Sequence, residues 1–218
     1  RGVLLIFDEV VTGFRYAVGG AQEYFNVIPD ITTLAKVMAG GLNGGAVVGR
    51  SHIMEVFEPK ADPHWSRYQM VPHPGTFNAN PLSAAAGIAA LQIIATGEPT
   101  KRAQEMTDML ISGMNDILER RGVPGCAYGR ASIFKTLIGV PPPRLARFDF
   151  SNVAEDTATL LQGSPVAKEL RKGMLLNGVD FMRAAGFVSA AHSADIIAET
   201  LQAFERVIVR MQQEDLFP

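Results

Sequence analysis

The sequence is poor in the features that mark several classes of protein. It contains a single cysteine, Cys126, in 218 residues, which excludes an internal disulfide framework and fits a reducing compartment. Its formal net charge of −2 gives no electrostatic reason to expect nucleic acid or an anionic membrane as a partner. No apolar run is long enough to span a bilayer, and no signal-peptide pattern is present. We therefore expect a soluble, cytoplasmic protein.

The phosphate-binding loop of nucleotide-hydrolysing enzymes is also missing. Such a loop is rich in glycine and ends in Gly-Lys-Ser or Gly-Lys-Thr, whereas the glycine-rich stretch at residues 39–45, Ala-Gly-Gly-Leu-Asn-Gly-Gly, contains no lysine. An apolar strand that ends in Asp-Glu is typical of those enzymes, because it positions magnesium and water. This chain has an apolar run that ends in Asp8 and Glu9 but lacks the loop, so nucleotide hydrolysis does not explain the two carboxylates.

The run Val-Leu-Leu-Ile-Phe at residues 3–7 is followed directly by Asp8 and Glu9. Five apolar residues without alternation predict a parallel strand that is buried on both faces. Ligands of open α/β sheets collect beyond the carboxyl ends of strands, so Asp8 is well placed to hold a positive charge. Lys36 follows 28 positions later. A pyridoxal-phosphate enzyme needs such a pair, because an acid keeps the pyridine nitrogen protonated and a lysine forms the Schiff base. A loop-capping carboxylate and a surface lysine remain the plain alternatives.

Three segments resemble motifs of the class III aminotransferases, the family that includes glutamate-1-semialdehyde aminomutase. Residues 7–15, Phe-Asp-Glu-Val-Val-Thr-Gly-Phe-Arg, are similar to the family's aspartate motif. Residues 29–36, Pro-Asp-Ile-Thr-Thr-Leu-Ala-Lys, followed by Gly40 and Gly41, resemble its Schiff-base segment. Residues 75–81, Gly-Thr-Phe-Asn-Ala-Asn-Pro, resemble its Gly-Thr loop. The order and approximate spacing of the three segments also match the family.

The resemblance implies a fold and a division of the chain. It predicts the α/β, fold-type-I architecture of pyridoxal-phosphate-dependent transferases, with residues 1–99 in the C-terminal part of the large mixed-sheet domain. Residues 100–218 would form the small α+β C-terminal domain. Members of the family are about twice as long as this chain, so we expect it to correspond to their C-terminal half and to need the other half for activity.

The resemblance also assigns roles to individual residues. Lys36 would be the Schiff-base lysine, and Asp8 would hold the pyridine nitrogen of pyridoxal 5'-phosphate. Val10 would pack on one face of the cofactor ring if the strand continues beyond Asp8. Gly75 and Thr76 would bind the phosphate, with Thr76 reaching the cofactor of a neighbouring subunit in a homodimer. No role beyond a structural ion pair is expected for Glu9, and no metal site is expected.

The implied reaction moves an amino group between an amino acid or amine and a keto or aldehyde acceptor. The alternative within the family is glutamate-1-semialdehyde 2,1-aminomutase, in which the amine returns to the same carbon skeleton. The short segment at residues 181–187 resembles a trimmed form of the aminomutase sequence and favours transamination. A non-catalytic chain that serves only as an interaction partner is the alternative of another class.

Helix signals support the predicted architecture. Asn80 and Pro81 predict an N-cap and the first residue of a helix through Thr96. Apolar spacing predicts helices over 100–121, with its methionines in the core, and over 165–177. Ser193 is expected to cap a last helix through Met211, with Ile196 among its inward-facing residues. Residues 144–164 give a weak signal and are predicted to be rich in loops.

Overall fold

The computed structural model describes residues 2–139 and 165–217, so the predicted loop-rich region at 144–164 lies outside the described residues. The chain divides into two compact units, Arg1–Thr100 and Lys101–Pro218. The strands and helices are, in chain order, β1 (Ile6–Asp8), α1 (Gly20–Phe25), β2 (Ile31–Ala35), β3 (Gly45–Gly49), α2 (Ser51–Met54), α3 (Pro63–Tyr68), α4 (Pro81–Ile94), α5 (Glu98–Arg121), β4 (Gly125–Arg130), β5 (Ile133–Ile138), α6 (Pro165–Leu176), β6 (Ala185–Phe187) and α7 (Ala194–Gln213).

The sheet of the first unit has the strand order β1-β2-β3. β1 and β2 are parallel, with Ile6 opposite Ile31 and Asp8 opposite Thr33, and β3 pairs with β2 in the antiparallel direction. The predicted parallel strand is therefore confirmed. Its predicted burial is wrong for this chain, because residues 3–6 are 44–83% exposed. β1 is the edge of this sheet within the described residues and pairs only with β2, so one side of the apolar run is uncovered.

A short 3₁₀ turn, Lys36–Ala39, follows β2 and packs against α4. The two backbones meet so closely that glycine is required on both sides. A Cβ on Gly40 would lie 2.5 Å from the carbonyl oxygen of Ala86, and one on Gly87 would lie 2.7 Å from that of Met38. This contact fixes the turn that begins with Lys36 against a helix of 14 residues.

The second unit packs three helices against the antiparallel sheet β4-β5-β6. Its core includes Met106 and Met114 of α5, in agreement with the predicted role of the methionines, whereas Met109 is 43% exposed. In α7 the inward-facing side chains include Phe204 and Ile208, but Ile196 is 42% exposed. Ile196 lies in the first turn of α7, and its side chain lies outside the buried core of this unit.

Both predicted helix caps are confirmed. The side-chain oxygen of Asn80 accepts hydrogen bonds from the backbone N–H groups of Leu82 (3.0 Å) and Ser83 (3.1 Å), and Pro81 is the first residue of α4. The Ser193 hydroxyl accepts from the Ile196 N–H at 3.3 Å. Among the helices described, none has the length and apolar character needed to cross a bilayer.

Candidate active site

Asp8 is the last residue of β1, and its carboxylate is held at the carboxyl end of the sheet. Oδ1 accepts a hydrogen bond from the backbone N–H of Val10 (3.1 Å) and another from the hydroxyl of Thr33 on β2 (3.2 Å). The structure gives Oδ2 no hydrogen-bond partner among the described residues. The side chain is exposed, so this oxygen is available to a cationic group at the sheet edge.

Val10 does not lie on an extension of the strand. β1 ends at Asp8, and the chain turns at Val10, so the side-chain alternation on which the prediction for Val10 depended does not apply. The chain turns because the Glu9 carbonyl accepts a hydrogen bond from the Gly13 N–H at 2.9 Å. Val10 contributes its N–H to the Asp8 carboxylate instead.

Lys36 follows β2 directly and has a left-handed backbone, with φ of +52°. This conformation costs an ordinary L-residue about 1–2 kcal/mol and occurs mostly where the surrounding structure imposes it. The other two motif segments each contain such a residue as well, Phe14 at +62° and Ala79 at +54°. Positive φ is not confined to these segments, because Asn26, Ala131, Arg183 and Asp215 have it as well. The ammonium of Lys36 forms no hydrogen bond or ion pair with any residue the structure describes.

Asp8 and Lys36 lie at the carboxyl ends of the neighbouring parallel strands β1 and β2. Asp8 is opposite Thr33 in the register. Lys36 comes three residues after Thr33, just beyond the end of β2, which corresponds to about 10 Å of extended chain. Both side chains are exposed in this chain. The structure therefore brings the predicted acid and the predicted amine to neighbouring strand ends, on a surface that faces solvent here.

The Gly-Thr loop is held by Asn78. Its backbone N–H donates to the carbonyl of Gly75 at 3.0 Å, and its side-chain amide donates to the carbonyl of His73 at 2.9 Å. A Cβ on Gly75 would lie 2.5 Å from Oδ1 of Asn78, so a larger residue there would displace the side chain of Asn78. Thr76 is exposed, and its hydroxyl forms no hydrogen bond in the described part of the chain.

A cavity of about 710 Å³ brings two of the motif loops together. Met38 and Ala39, from the turn that begins at Lys36, lie on one side, and Phe77 and Asn78, from the Gly-Thr loop, lie on the other. Its lining is mostly apolar. Asp8, Lys36 and Thr76 are not among its lining residues, so the cavity adjoins the predicted site residues rather than being formed by them.

Glu9 is the residue at this site that the sequence interpretation missed. It is 1% exposed and is the only buried carboxylate in residues 2–139 and 165–217. Its oxygens accept hydrogen bonds from the Thr12 hydroxyl (2.6 Å) and from the backbone N–H groups of Ala21 (2.8 Å) and Gln22 (2.9 Å). These partners replace the predicted ion pair. Alternation along the strand was the available signal, because Asp8 and Glu9 must point in opposite directions.

Residues 1–130 match the family model for "Aminotransferase class-III". This match covers more than half of the chain. The chain belongs to the class III aminotransferase family. Members of this family use pyridoxal phosphate as their cofactor, and the described fold is the α/β fold of the fold-type-I transferases.

Similar proteins agree with the family assignment. The chain is 36% identical over 216 residues to a glutamate-1-semialdehyde 2,1-aminomutase from Pyrobaculum aerophilum, an alignment that covers 98% of this chain and 47% of the relative. An omega-transaminase from Sphaerobacter thermophilus is 28% identical, with a TM-score of 0.79 over 95% of this chain and 44% of that structure. A transaminase described with pyridoxal phosphate bound has a TM-score of 0.78 at 28% identity, over 98% of this chain and 45% of its own. The chain thus spans about half the length of the relatives it matches.

Proposed function

We propose that this chain carries the cofactor-binding acid and the catalytic amine of a pyridoxal-phosphate-dependent aminotransferase. The enzyme would move an amino group between an amino acid or amine and a keto or aldehyde acceptor. The observation that carries the proposal is the exit of Asp8 and Lys36 from neighbouring parallel strands at one sheet edge, inside the segment that matches the family.

The chemistry of these side chains fits the cofactor. Pyridoxal phosphate offers a basic ring nitrogen at one end, an aldehyde carbon at the other and a phosphate. The free oxygen of Asp8 suits a protonated ring nitrogen, and an unpaired primary amine at Lys36 suits the aldehyde. The left-handed backbone at Lys36 supports the assignment, because this strain is expected where a side chain must be aimed.

When bound, pyridoxal phosphate supplies an electron sink for the bond that is broken at the substrate carbon. The residues of the chain perform the remaining tasks. Asp8 keeps the ring nitrogen protonated, since a carboxylate favours the charged form of a cation beside it. Lys36 would hold the cofactor through its side-chain amine. When free, its Nζ would remove the proton from the substrate carbon and return it at the end of the transfer.

The remaining assignments extend this proposal. Val10 would pack against the cofactor ring, an assignment that depends on the family motif and no longer on strand alternation. The backbone at Gly75 and the hydroxyl of Thr76 would bind the phosphate of the cofactor in a neighbouring subunit of a homodimer. Activity would also require sequence equivalent to the other half of the relatives. Asp8, Lys36 and Thr76 are exposed in this chain. This exposure supports the need for a neighbouring subunit and for the other half, because a reacting amine and a cofactor need a site closed to water.

A second candidate function is the glutamate-1-semialdehyde 2,1-aminomutase reaction. It is favoured by the 36% identity to the Pyrobaculum enzyme over nearly the whole chain. The two reactions share the same acid and amine and differ in the fate of the amino group. The native-length protein, meaning this chain together with the other half that activity would require, is incubated with glutamate 1-semialdehyde alone. This incubation distinguishes the two reactions, because only the aminomutase forms product without a separate keto or aldehyde acceptor.

The decisive experiment is to identify the lysine that binds the cofactor. The native-length protein is incubated with pyridoxal phosphate, reduced with borohydride, digested and analysed by mass spectrometry. We expect the mass increase on Lys36. The Lys36→Ala variant should lose both the trapped cofactor and turnover, whereas Lys135→Ala, which removes another exposed lysine, should lose neither.

Trapping at a different lysine, or full turnover in Lys36→Ala, would contradict the proposal. A native-length protein that traps no cofactor would instead favour the non-catalytic alternative. The same reaction on the 218-residue chain alone tests the requirement for the other half, for which we expect little or no turnover.

A further inference from the structure

The peptide bond between Glu9 and Val10 links the buried carboxylate to the proposed cofactor-binding acid. On one side of this peptide, the Glu9 carbonyl accepts a hydrogen bond from the Gly13 N–H at 2.9 Å. On the other side, the Val10 N–H donates to Oδ1 of Asp8 at 3.1 Å. A rotation of this peptide would therefore withdraw a donor from Asp8.

Hydrogen bonds made by the side chain, the N–H and the carbonyl of Glu9 together oppose such a rotation. The two carboxylate oxygens of Glu9 accept hydrogen bonds from the Thr12 hydroxyl and from the first N–H groups of α1, at Ala21 and Gln22. Its own backbone N–H donates to the carbonyl of Thr33 at 2.9 Å, which continues the β1–β2 pairing past Asp8. The side chain and the N–H together hold the Cα of Glu9, and the hydrogen bond from the Gly13 N–H to the Glu9 carbonyl fixes the orientation of the peptide that follows.

The surrounding chain is shaped around this carboxylate. A Cβ on Gly20 would lie 2.7 Å from both oxygens of Glu9, and Gly20 also has φ of +81°. A Cβ on Gly13 would lie 2.7 Å from the Glu9 carbonyl oxygen. Glycine is thus needed on both sides of Glu9, and a buried, fully bonded carboxylate is costly to disturb because each lost partner leaves a charge unsatisfied.

We propose that Glu9 is a positioning residue that aims the Asp8 carboxylate at the cofactor by fixing the Glu9–Val10 peptide. This inference rests on the proposed function of Asp8. It assigns Glu9 an effect on the cofactor that a residue serving only to join α1 to the sheet would not have. Substitution of a residue that only joins α1 to the sheet would change the stability of the protein and leave cofactor binding unchanged.

The test uses the native-length protein and two measurements besides turnover. These are the dissociation constant for pyridoxal phosphate and the pH dependence of the visible absorption of the bound cofactor. Asp8→Asn is expected to weaken binding and to shift the pH profile. Glu9→Gln has nearly the same shape but places an amide N–H₂ against backbone donors, so it should weaken binding about tenfold and shift the profile in the same direction.

Two further variants make the result interpretable. Glu23→Gln is the matched control, because the Glu23 carboxylate also accepts a backbone hydrogen bond beside α1, from Gly19, but it is exposed and has no connection to Asp8. It should leave both measurements unchanged. Thr12→Val removes a single donor from Glu9 and should give a smaller effect of about threefold. If Glu9→Gln does not fold, Thr12→Val tests the positioning role of Glu9 in its place.

The outcomes separate the inference from the proposed function. If Asp8→Asn changes both measurements while Glu9→Gln and Thr12→Val change only the melting temperature, the positioning role is wrong and the proposed function stands. If Asp8→Asn itself changes neither measurement, Asp8 does not bind the cofactor and the proposed function fails. Parallel shifts in Asp8→Asn and Glu9→Gln, with Glu23→Gln unchanged, support the inference.

Discussion

The hydroxyl of Thr33 donates a hydrogen bond to Oδ1 of Asp8 at 3.2 Å, across the parallel pair β1–β2. The two residues are directly opposite in the register, so the pairing of the strands determines their contact. Two donors on the same oxygen, the Thr33 hydroxyl and the Val10 N–H, orient the carboxylate. A substitution at Thr33 can therefore remove one hydrogen bond from Asp8 without changing Asp8 itself.

We expect Thr33→Val to weaken the binding of pyridoxal phosphate by the native-length protein. Valine has the same shape as threonine but lacks the hydroxyl. A hydrogen bond to a charged group contributes about 1.5–3 kcal/mol. A loss of about 1.4 kcal/mol in binding free energy corresponds to a tenfold change in the dissociation constant. Fluorescence titration measures the change. Thr33→Ser retains the hydroxyl and should bind nearly as well as the wild type. Equal affinities for Val and Ser would show that the contact does not affect the cofactor.

The left-handed backbone of Lys36 predicts an order of stability between two variants at this position. Lys36→Ala keeps a Cβ at φ of +52°, whereas Lys36→Gly removes the steric cost of about 1–2 kcal/mol. Part of that gain is lost because glycine has more freedom in the unfolded chain, about 0.5–1 kcal/mol. We expect Lys36→Gly to melt about 2 °C above Lys36→Ala in calorimetry. A lower melting temperature for the glycine variant would contradict the assigned conformation.

Two methionines of α5 provide a paired test of the core of the second unit. Met114 is fully buried, and Met109 is 43% exposed on the same helix. Met114→Ala should reduce the free energy of unfolding by about 2–5 kcal/mol, because it removes buried surface and leaves a cavity. Met109→Ala should change it by no more than about 0.5 kcal/mol. Urea denaturation of both variants measures the difference, and similar values for the two would be incompatible with the packing described.

The ion pairs between α5 and α7 predict a pH dependence of stability. Hydrogen bonds from Arg120 (3.0 Å) and Arg121 (2.9 Å) hold the pKa of Glu205 below its ordinary value of 4.5. A carboxyl group whose pKa is lowered by folding stabilises the fold above its unfolded pKa, and this contribution disappears as the pH falls through the folded value. We expect Glu205→Gln to melt about 2 °C below the wild type at pH 7.

That gap should begin to narrow as the pH falls below about 4.5, where Glu205 becomes protonated in the unfolded chain, and should close once the pH passes the lowered pKa of the folded state. Melting curves recorded from pH 7 to pH 3 measure it. Glu199→Gln is the matched control, since Glu199 is exposed on the same helix and forms no ion pair within the described ranges. A constant gap for Glu205→Gln across this range would show that the arginines do not lower its pKa.

Local signals in the sequence were sufficient for several features of the fold. Asn80 followed by Pro81 marked the start of α4, and the apolar spacing of α5 placed Met114 in a core. The run before Asp8 correctly indicated a parallel strand with a carboxylate at its end. These features depend on neighbours within a few residues, or on a periodicity that the side chains themselves define.

Features that depend on distant contacts were not predictable. The exposure of residues 3–6 is set by which strands pair with β1. The burial of Glu9 depends on where α1 begins relative to the strand. An adjacent pair of acidic residues does not reveal which one is buried until the packing of both faces is known.

The uncovered edge of β1 has a practical consequence for anyone who prepares these 218 residues by themselves. Main-chain donors and acceptors with large aliphatic groups around them are a template on which another copy can add a strand. Such a preparation will tend to precipitate or form oligomers through that edge as its concentration rises. Light scattering over a dilution series should therefore precede any binding measurement on the isolated polypeptide.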